Sequence, residues 1–273
     1  MDSYWLIVQT FSPTIRRMLA AQGLVGLGAG IFAVLLNLYL RGVGYHEQTI
    51  GRFLAVQSVA AAFASIPMGW LADRTSRRTT YLVGLAFLVA GFALIVVSYS
   101  PSAVLAACII NGIGNGAMMV TIQPFLQENS RRRQRPFLFS LNFSMGLVMS
   151  IFAGLLAGWL PRLFHFFQII PAHDETGALR LTLGVGVAFL ILAVWPAFRL
   201  PRGVLGLAKE PTASVPVAKR KGDRGEESEN AASMQSADSV APFPLMARFM
   251  ITSGLIGLGA GLIVPYFNLF FRD

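Results

Sequence analysis

Asp73, Arg74, Arg77 and Arg78 crowd one short polar stretch at the end of an apolar run. An aspartate flanked by arginines at a helix end makes charge-assisted hydrogen bonds to neighbouring helix ends. Elsewhere the chemistry is sparse. None of the 13 acidic residues falls inside an apolar run. His46, His165 and His173 sit in or beside connecting segments, and Lys209, Lys219 and Lys221 share one polar stretch. Cys108 is the single cysteine, so no internal disulfide is expected. These residues form no nucleophile–base pair, phosphate loop or metal-ligand set, and we expect no enzyme activity, cofactor or metal. Amides are what the apolar runs do contain. Asn111 and Asn115 are four apart and share a helix face, Gln123 follows in the same run, and Asn37, Gln57, Asn142 and Asn268 stand in other runs. An amide there either meets a solute or bonds a neighbouring helix.

The runs that must position these groups are those of an all-α integral membrane protein. The chain is 55% hydrophobic and 13% charged, with mean hydropathy +0.61, more apolar surface than a soluble domain of this size can hide. Windows of about 20 residues, long enough to cross a bilayer, lie near 19–40, 50–71, 80–99, 102–126, 137–160, 181–199 and 246–271. The longest break among the first six runs from Pro161 to Arg180.

Lys and Arg divide unequally between alternate sides, 17 against 5. Positive residues favour the cytoplasm, which predicts a multi-pass protein of the plasma membrane with its N-terminus inside. The net charge of +9 follows from this topology rather than from nucleic-acid binding, for which no basic, aromatic-interleaved face exists. The expected organisation is a six-helix bundle over 1–200, a disordered cytoplasmic linker over 201–243 whose charges cancel, and a further span in 244–273.

That last span repeats the first. Gly23 to Arg41 aligns without a gap to Gly254 to Arg272, and ten of 19 positions are identical, Asn37 with Asn268 among them. A repeat at an offset of 231 residues is the mark of a duplicated helix bundle. Gly26 and Gly30, matched by Gly257 and Gly261, form small-xxx-small faces for close helix packing or for bending.

The motif from Gly69 to Thr80, GWLADRTSRRTT, resembles the loop signature of the major facilitator superfamily between its second and third helices. Gly69, Leu71, Asp73, Arg74, Arg77 and Arg78 match it, and Ser76 stands where glycine is usual. The resemblance covers the whole chain: six spans, a long linker, and a seventh span that begins a second bundle. It implies two bundles related by an axis along the membrane normal, and a complete protein of roughly 400–420 residues, of which this chain is a C-terminally truncated form with five helices to come. It also implies that the loop cluster latches the two halves. Asp73 faces a helix terminus of the second half, and Arg74 or Arg77 meets the carboxylate of Glu128 at the end of the fourth span. Because the first, fourth and seventh helices line the cavity in this family, Asn111 and Asn115 become candidates for substrate contact, with Asn37, Asn268 and Gln57 along the pathway. Gly146, Gly154 and Gly158 are similar to a glycine-rich motif of antiporters, without its Gly-Pro pair.

The function so implied is secondary transport of a small solute by alternating access, with efflux of amphiphilic compounds favoured. Its partners are the substrate, the lipid bilayer, and either the missing C-terminal half or a second copy. The alternatives are a truncated fragment that does not transport and a seven-helix receptor or sensor. Against the receptor stand a C-terminus on the outer side and a seventh span without lysine.

Overall fold

The structure, a computed structural model, describes residues 11–130, 134–168, 170–171, 174–201 and 252. The chain divides into two units, Met1–Pro211 and Thr212–Asp273, and the six helices described below belong to the first. They are α1 (Pro13–Gly42), α2 (Glu47–Arg74), α3 (Arg77–Val97), α4 (Pro101–Glu128), α5 (Arg135–Phe166) and α6 (Glu175–Phe198). All six are long and apolar enough to cross a membrane. The expected linker, the seventh span and Asn268 lie outside the described residues, apart from Pro201 and Thr252.

Helix starts follow from local chemistry. Ser12, Ser76 and Ser100 each accept a backbone N–H three residues on, and Asp174 accepts that of Gly177 at 2.8 Å. Such caps satisfy amides that the first turn leaves unpaired. Ser76, where glycine was the usual residue, is extended (φ −160°) and caps α3 through Thr79 N–H at 3.1 Å. Its turn therefore asks for no left-handed backbone and gains a hydroxyl cap that glycine lacks. The one positive-φ glycine among the described residues is Gly44 (φ 106°), in the turn between α1 and α2.

One expectation needs correcting. The break drawn from Pro161 to Arg180 is much shorter, because α5 runs through Pro161 to Phe166 and α6 begins at Glu175. Proline removes one N–H donor, a loss that membrane helices absorb locally. Read as a breaker, it marked the boundary too early.

Packing falls into two sets of three that exchange with one another. α1 packs on α5 and α6, α4 packs on α2 and α3, and α3 meets α6. Exchanging α1–α3 with α4–α6 maps the contacts of α1 onto those of α4 and leaves the α3–α6 contact in place. Glycines permit the approach. A Cβ on Gly28 would stand 2.7 Å from the carbonyl oxygen of Gly186 on α6, and one on Gly30 would stand 2.6 Å from the Cβ of Ala153 on α5. In the other set, a Cβ on Gly114 would lie 2.8 Å from the carbonyl oxygen of Gly84, and one on Gly116 would lie 2.5 Å from that of Ala61. Helices have no hydrophobic drive to associate within lipid, so such close backbone contact is what holds them.

α2 and α5 stand apart from the rest. Only 6% and 11% of their apolar windows are buried, against 39–50% in the other four helices. Phe63, Ile66, Phe143, Ile151 and Leu155 lie exposed on them. These two helices present the open apolar faces of the bundle.

Candidate functional site

At one end of the bundle three helix termini converge, each carrying a charge of the sign its own dipole disfavours. Asp73 is next to last in α2, Glu128 is last in α4, and Arg77 is first in α3. Acids at C-termini and a base at an N-terminus oppose the helix macrodipoles, so each needs an external partner. They supply one another. Arg77 Nη2 lies 2.7 Å from the Asp73 carboxylate, and Arg77 Nε donates to Glu128 Oε1 at 3.3 Å. The Arg77 side chain is 22% exposed, Glu128 30% and Asp73 67%. Beside them lies a cavity of about 230 Å³ lined in part by Ser76, Arg78, Phe125 and Asn129.

Of the two arginines held open as partners for Glu128, the structure selects Arg77. Arg74 instead stacks on the ring of Trp70, 3.9 Å from its centroid. Arg78 turns the other way and donates to the carbonyl oxygen of Phe198, 2.5 Å away at the C-terminus of α6. Gly69 faces open space, with nothing within 4 Å of the position a Cβ would take.

The amides separate. Asn111 is 1% exposed, its side chain fills the gap left by Gly91 of α3, and neither amide atom has a hydrogen-bond partner among the described residues. Asn115, one turn on, is exposed. The forty-degree offset of an i,i+4 pair is enough here to put one in the α3–α4 seam and the other on an open side. Gln57 is half-buried on α2, where its carbonyl oxygen abuts Gly112, and Asn37 is half-buried and engaged in interactions of its own.

At the opposite end sits a group whose role sequence reasoning missed. Arg180, in the second turn of α6, donates from Nε to the carbonyl oxygen of Val96 at 2.5 Å and from Nη2 to that of Val97 at 3.1 Å. It also bonds the hydroxyl of Tyr99, over whose ring it lies at 4.4 Å. Arg78 and Arg180 are thus reciprocal: each lies near the start of one of the antiparallel pair α3 and α6 and closes the last carbonyls of the other. The one available signal was an arginine beside an apolar run, which must find a partner; its spacing did not say which. Arg180→Ala is expected to lower stability by roughly 1–3 kcal/mol, the loss of charged hydrogen bonds. Arg180→Lys should restore only part, since one ammonium does not match a planar fork. Thermal unfolding in detergent measures both, and equal melting temperatures for parent and Arg180→Ala would refute the clamp.

The described fold and its end cluster define a polytopic helical membrane protein built from two interchanging three-helix sets. Residues 18–273 match the sequence profile of the Major Facilitator Superfamily, and the chain belongs to that family. It is 23% identical to the multidrug resistance protein MdtH of Photorhabdus laumondii over 69% of this chain and 44% of that protein. It is 26% identical to the human solute carrier family 2, facilitated glucose transporter member 12, over 68% of this chain and 30% of that protein. The inner membrane transport protein YajR of Escherichia coli is 27% identical over 44% of this chain and 28% of its own length. The chain spans less than half the length of each of these relatives.

Proposed function

We propose that this bundle serves in secondary transport of a small solute by alternating access, with Asp73, Arg77 and Glu128 as the latch that closes its arginine-rich end. One observation carries the reading: a single guanidinium joins two acids across three helix ends, and one of those acids remains largely exposed. Partly exposed ion pairs are worth about 1 kcal/mol or less. The cluster is too weak to be needed for stability, and it suits an interaction that must break and re-form. Asp73 and the open surface at Gly69 face outward, available to a helix end of a second bundle. That partner is the other half of the carrier or a second copy of the chain, since rocking about a central site needs two bundles.

The substrate is uncharged or amphiphilic. No acid or base stands midway along the described spans to pair with a charged solute, and a buried ionisable group is the usual mark of ion handling there. Asn115, exposed on α4, is the polar contact. The name of the multidrug relative agrees with efflux of amphiphilic compounds; that of the glucose transporter supports uptake of a neutral polar solute instead. Flux of a cationic amphiphile against that of a hexose, in vesicles bearing the assembled carrier, tests the two. Flux of neither would reject the transport reading.

On this reading the arginine-rich end faces the cytoplasm, at the plasma membrane, as the excess of positive residues on that side supports. With Cys108 replaced by alanine, cysteines at Thr75 and Ser228 should resist an impermeant thiol reagent added outside intact cells, while one at Ser102 should react. Thr75 and Ser102 are both exposed, so burial does not confuse the comparison. Labelling at Thr75→Cys from outside would reverse the orientation.

A further inference from the structure

A lipid-facing groove runs between α3 and α6 towards the arginine-rich end, and its mouth holds more positive charge than the helices there require. Ala86 and Ala90, one turn apart on α3, leave the floor low, and Ile191, Val194, Trp195 and Phe198 of α6 form the wall. The hollow is about 590 Å³ and lined by aliphatic and aromatic side chains. From Ile191 to Phe198 it is about 10 Å long by helical rise, most of one leaflet's share of a hydrocarbon core about 30 Å thick.

At the mouth three guanidiniums gather on the C-terminus of α6. Arg78 donates to the carbonyl oxygen of Phe198 at 2.5 Å, and Arg17 Nη1 donates to that of Arg199 at 2.9 Å. Arg199 itself lies over the ring of Trp195, 4.0 Å from the centroid, at the top of the groove. Among the described residues no carboxylate pairs with any of the three. A helix C-terminus carries about half a negative charge, so three cations leave a clear surplus. Arg17 and Arg199 are both exposed, so an anion can reach them.

We propose that this groove is a binding site for an anionic glycerophospholipid of the leaflet at the arginine-rich end. An acyl chain lies between α3 and α6 against Trp195, and the headgroup phosphate pairs with Arg199 and Arg17. Charge complementarity selects this occupant. A neutral lipid matches the groove but leaves the arginines unpaired, and a free phosphate matches the arginines but leaves the groove unfilled. The site is built from α3, α6 and Arg17 at the start of α1, and is independent of the transport reading.

The test uses the full chain with Trp195 as its one tryptophan (Trp5→Phe, Trp70→Phe, Trp159→Phe), reconstituted in phosphatidylcholine vesicles. Brominated phosphatidylglycerol or brominated phosphatidylcholine is added as a minor component, and quenching of Trp195 gives their relative affinity. Each arginine near an anionic lipid surface contributes about fivefold in affinity, so a preference for phosphatidylglycerol of at least that size is expected. Arg17→Gln with Arg199→Gln should bring the preference close to unity, and Arg199→Lys, which keeps the charge, should retain most of it. Ala90→Leu, which fills the floor, should reduce quenching by both lipids. Excess inorganic phosphate should leave the preference intact. Equal quenching by the two lipids in the parent, a preference that survives the double Gln variant, or loss of the preference to inorganic phosphate would each overturn the proposal. So would displacement of both lipids by a second copy of the chain, seen as dimers crosslinked through this face.

Discussion

Arg77→Gln is expected to shift the equilibrium between the two access states of the assembled carrier by roughly tenfold, in favour of an open arginine-rich end. The reasoning rests on two ion pairs that share one guanidinium. Each is worth up to about 1 kcal/mol at this exposure, and removing Arg77 deletes both. It also leaves Asp73 and Glu128 as like charges at two helix ends whose dipoles already disfavour them. Asp73→Asn should have a smaller effect, because Arg77 keeps Glu128, and Glu128→Gln should resemble it for the converse reason. Arg74→Gln should have the least effect of the four, since Arg74 lies on Trp70 rather than in the cluster. Reactivity of a cysteine at Gln123, exposed on α4 towards the same end, reports the open state without knowledge of the substrate. Equal reactivity in Arg77→Gln and the parent would remove the latch from the proposed function. Membrane abundance should stay near normal in all four, because helix-end substitutions avoid the bilayer core.

Gly112→Ala is expected to be more damaging to folding than any substitution in the Asp73, Arg77 and Glu128 cluster. A Cβ there would overlap the carbonyl oxygen of Gln57 and lie 2.7 Å from the Cβ of Ala60 and 3.0 Å from the backbone nitrogen of Ala61. Backbone atoms do not move aside as a side chain does, so α2 must separate from α4. Overpacking of this kind costs roughly 1–3 kcal/mol, and Gly112→Val should exceed that range and remove most folded protein from the membrane. Gly116 presses on Ala61 one turn further along, so the two glycines act as one seam. Gly146→Ala, Gly154→Ala and Gly158→Ala on α5 form the control, for nothing lies within 4 Å of a Cβ at any of them. Melting temperature and monodispersity after detergent extraction distinguish the sets. A Gly112→Ala chain that melts with its parent would show that the α2–α4 contact is not close-packed.

That contrast among glycines shows where sequence reading ends. All of them look alike along the chain, and those of α5 drew notice as a motif, yet the α5 glycines face open space while Gly28, Gly30, Gly112 and Gly116 touch neighbouring helices. Hydropathy was enough for six membrane helices because spanning a bilayer is a property of each segment alone: about 20 apolar residues, with every backbone bond made internally. The charged cluster was legible for a similar reason. Asp73, Arg77 and Glu128 had to lie at helix ends because they do not fit in hydrocarbon, and ends on one side of a membrane are brought near one another. Which arginine meets Glu128 depended on the break between α2 and α3, since Arg74 ends one helix and Arg77 begins the next. A single turn decided the fate of two asparagines 40° apart on α4, one sealed against Gly91 and one left open. Arg180 closing α3, and Arg17, Arg78 and Arg199 gathering at the end of α6, join residues as many as 182 positions apart. Within a helix the sequence dictates which residues share a face, because the period is set by backbone geometry. Between helices the partners are chosen by rotation and close approach, and those belong to the packed bundle.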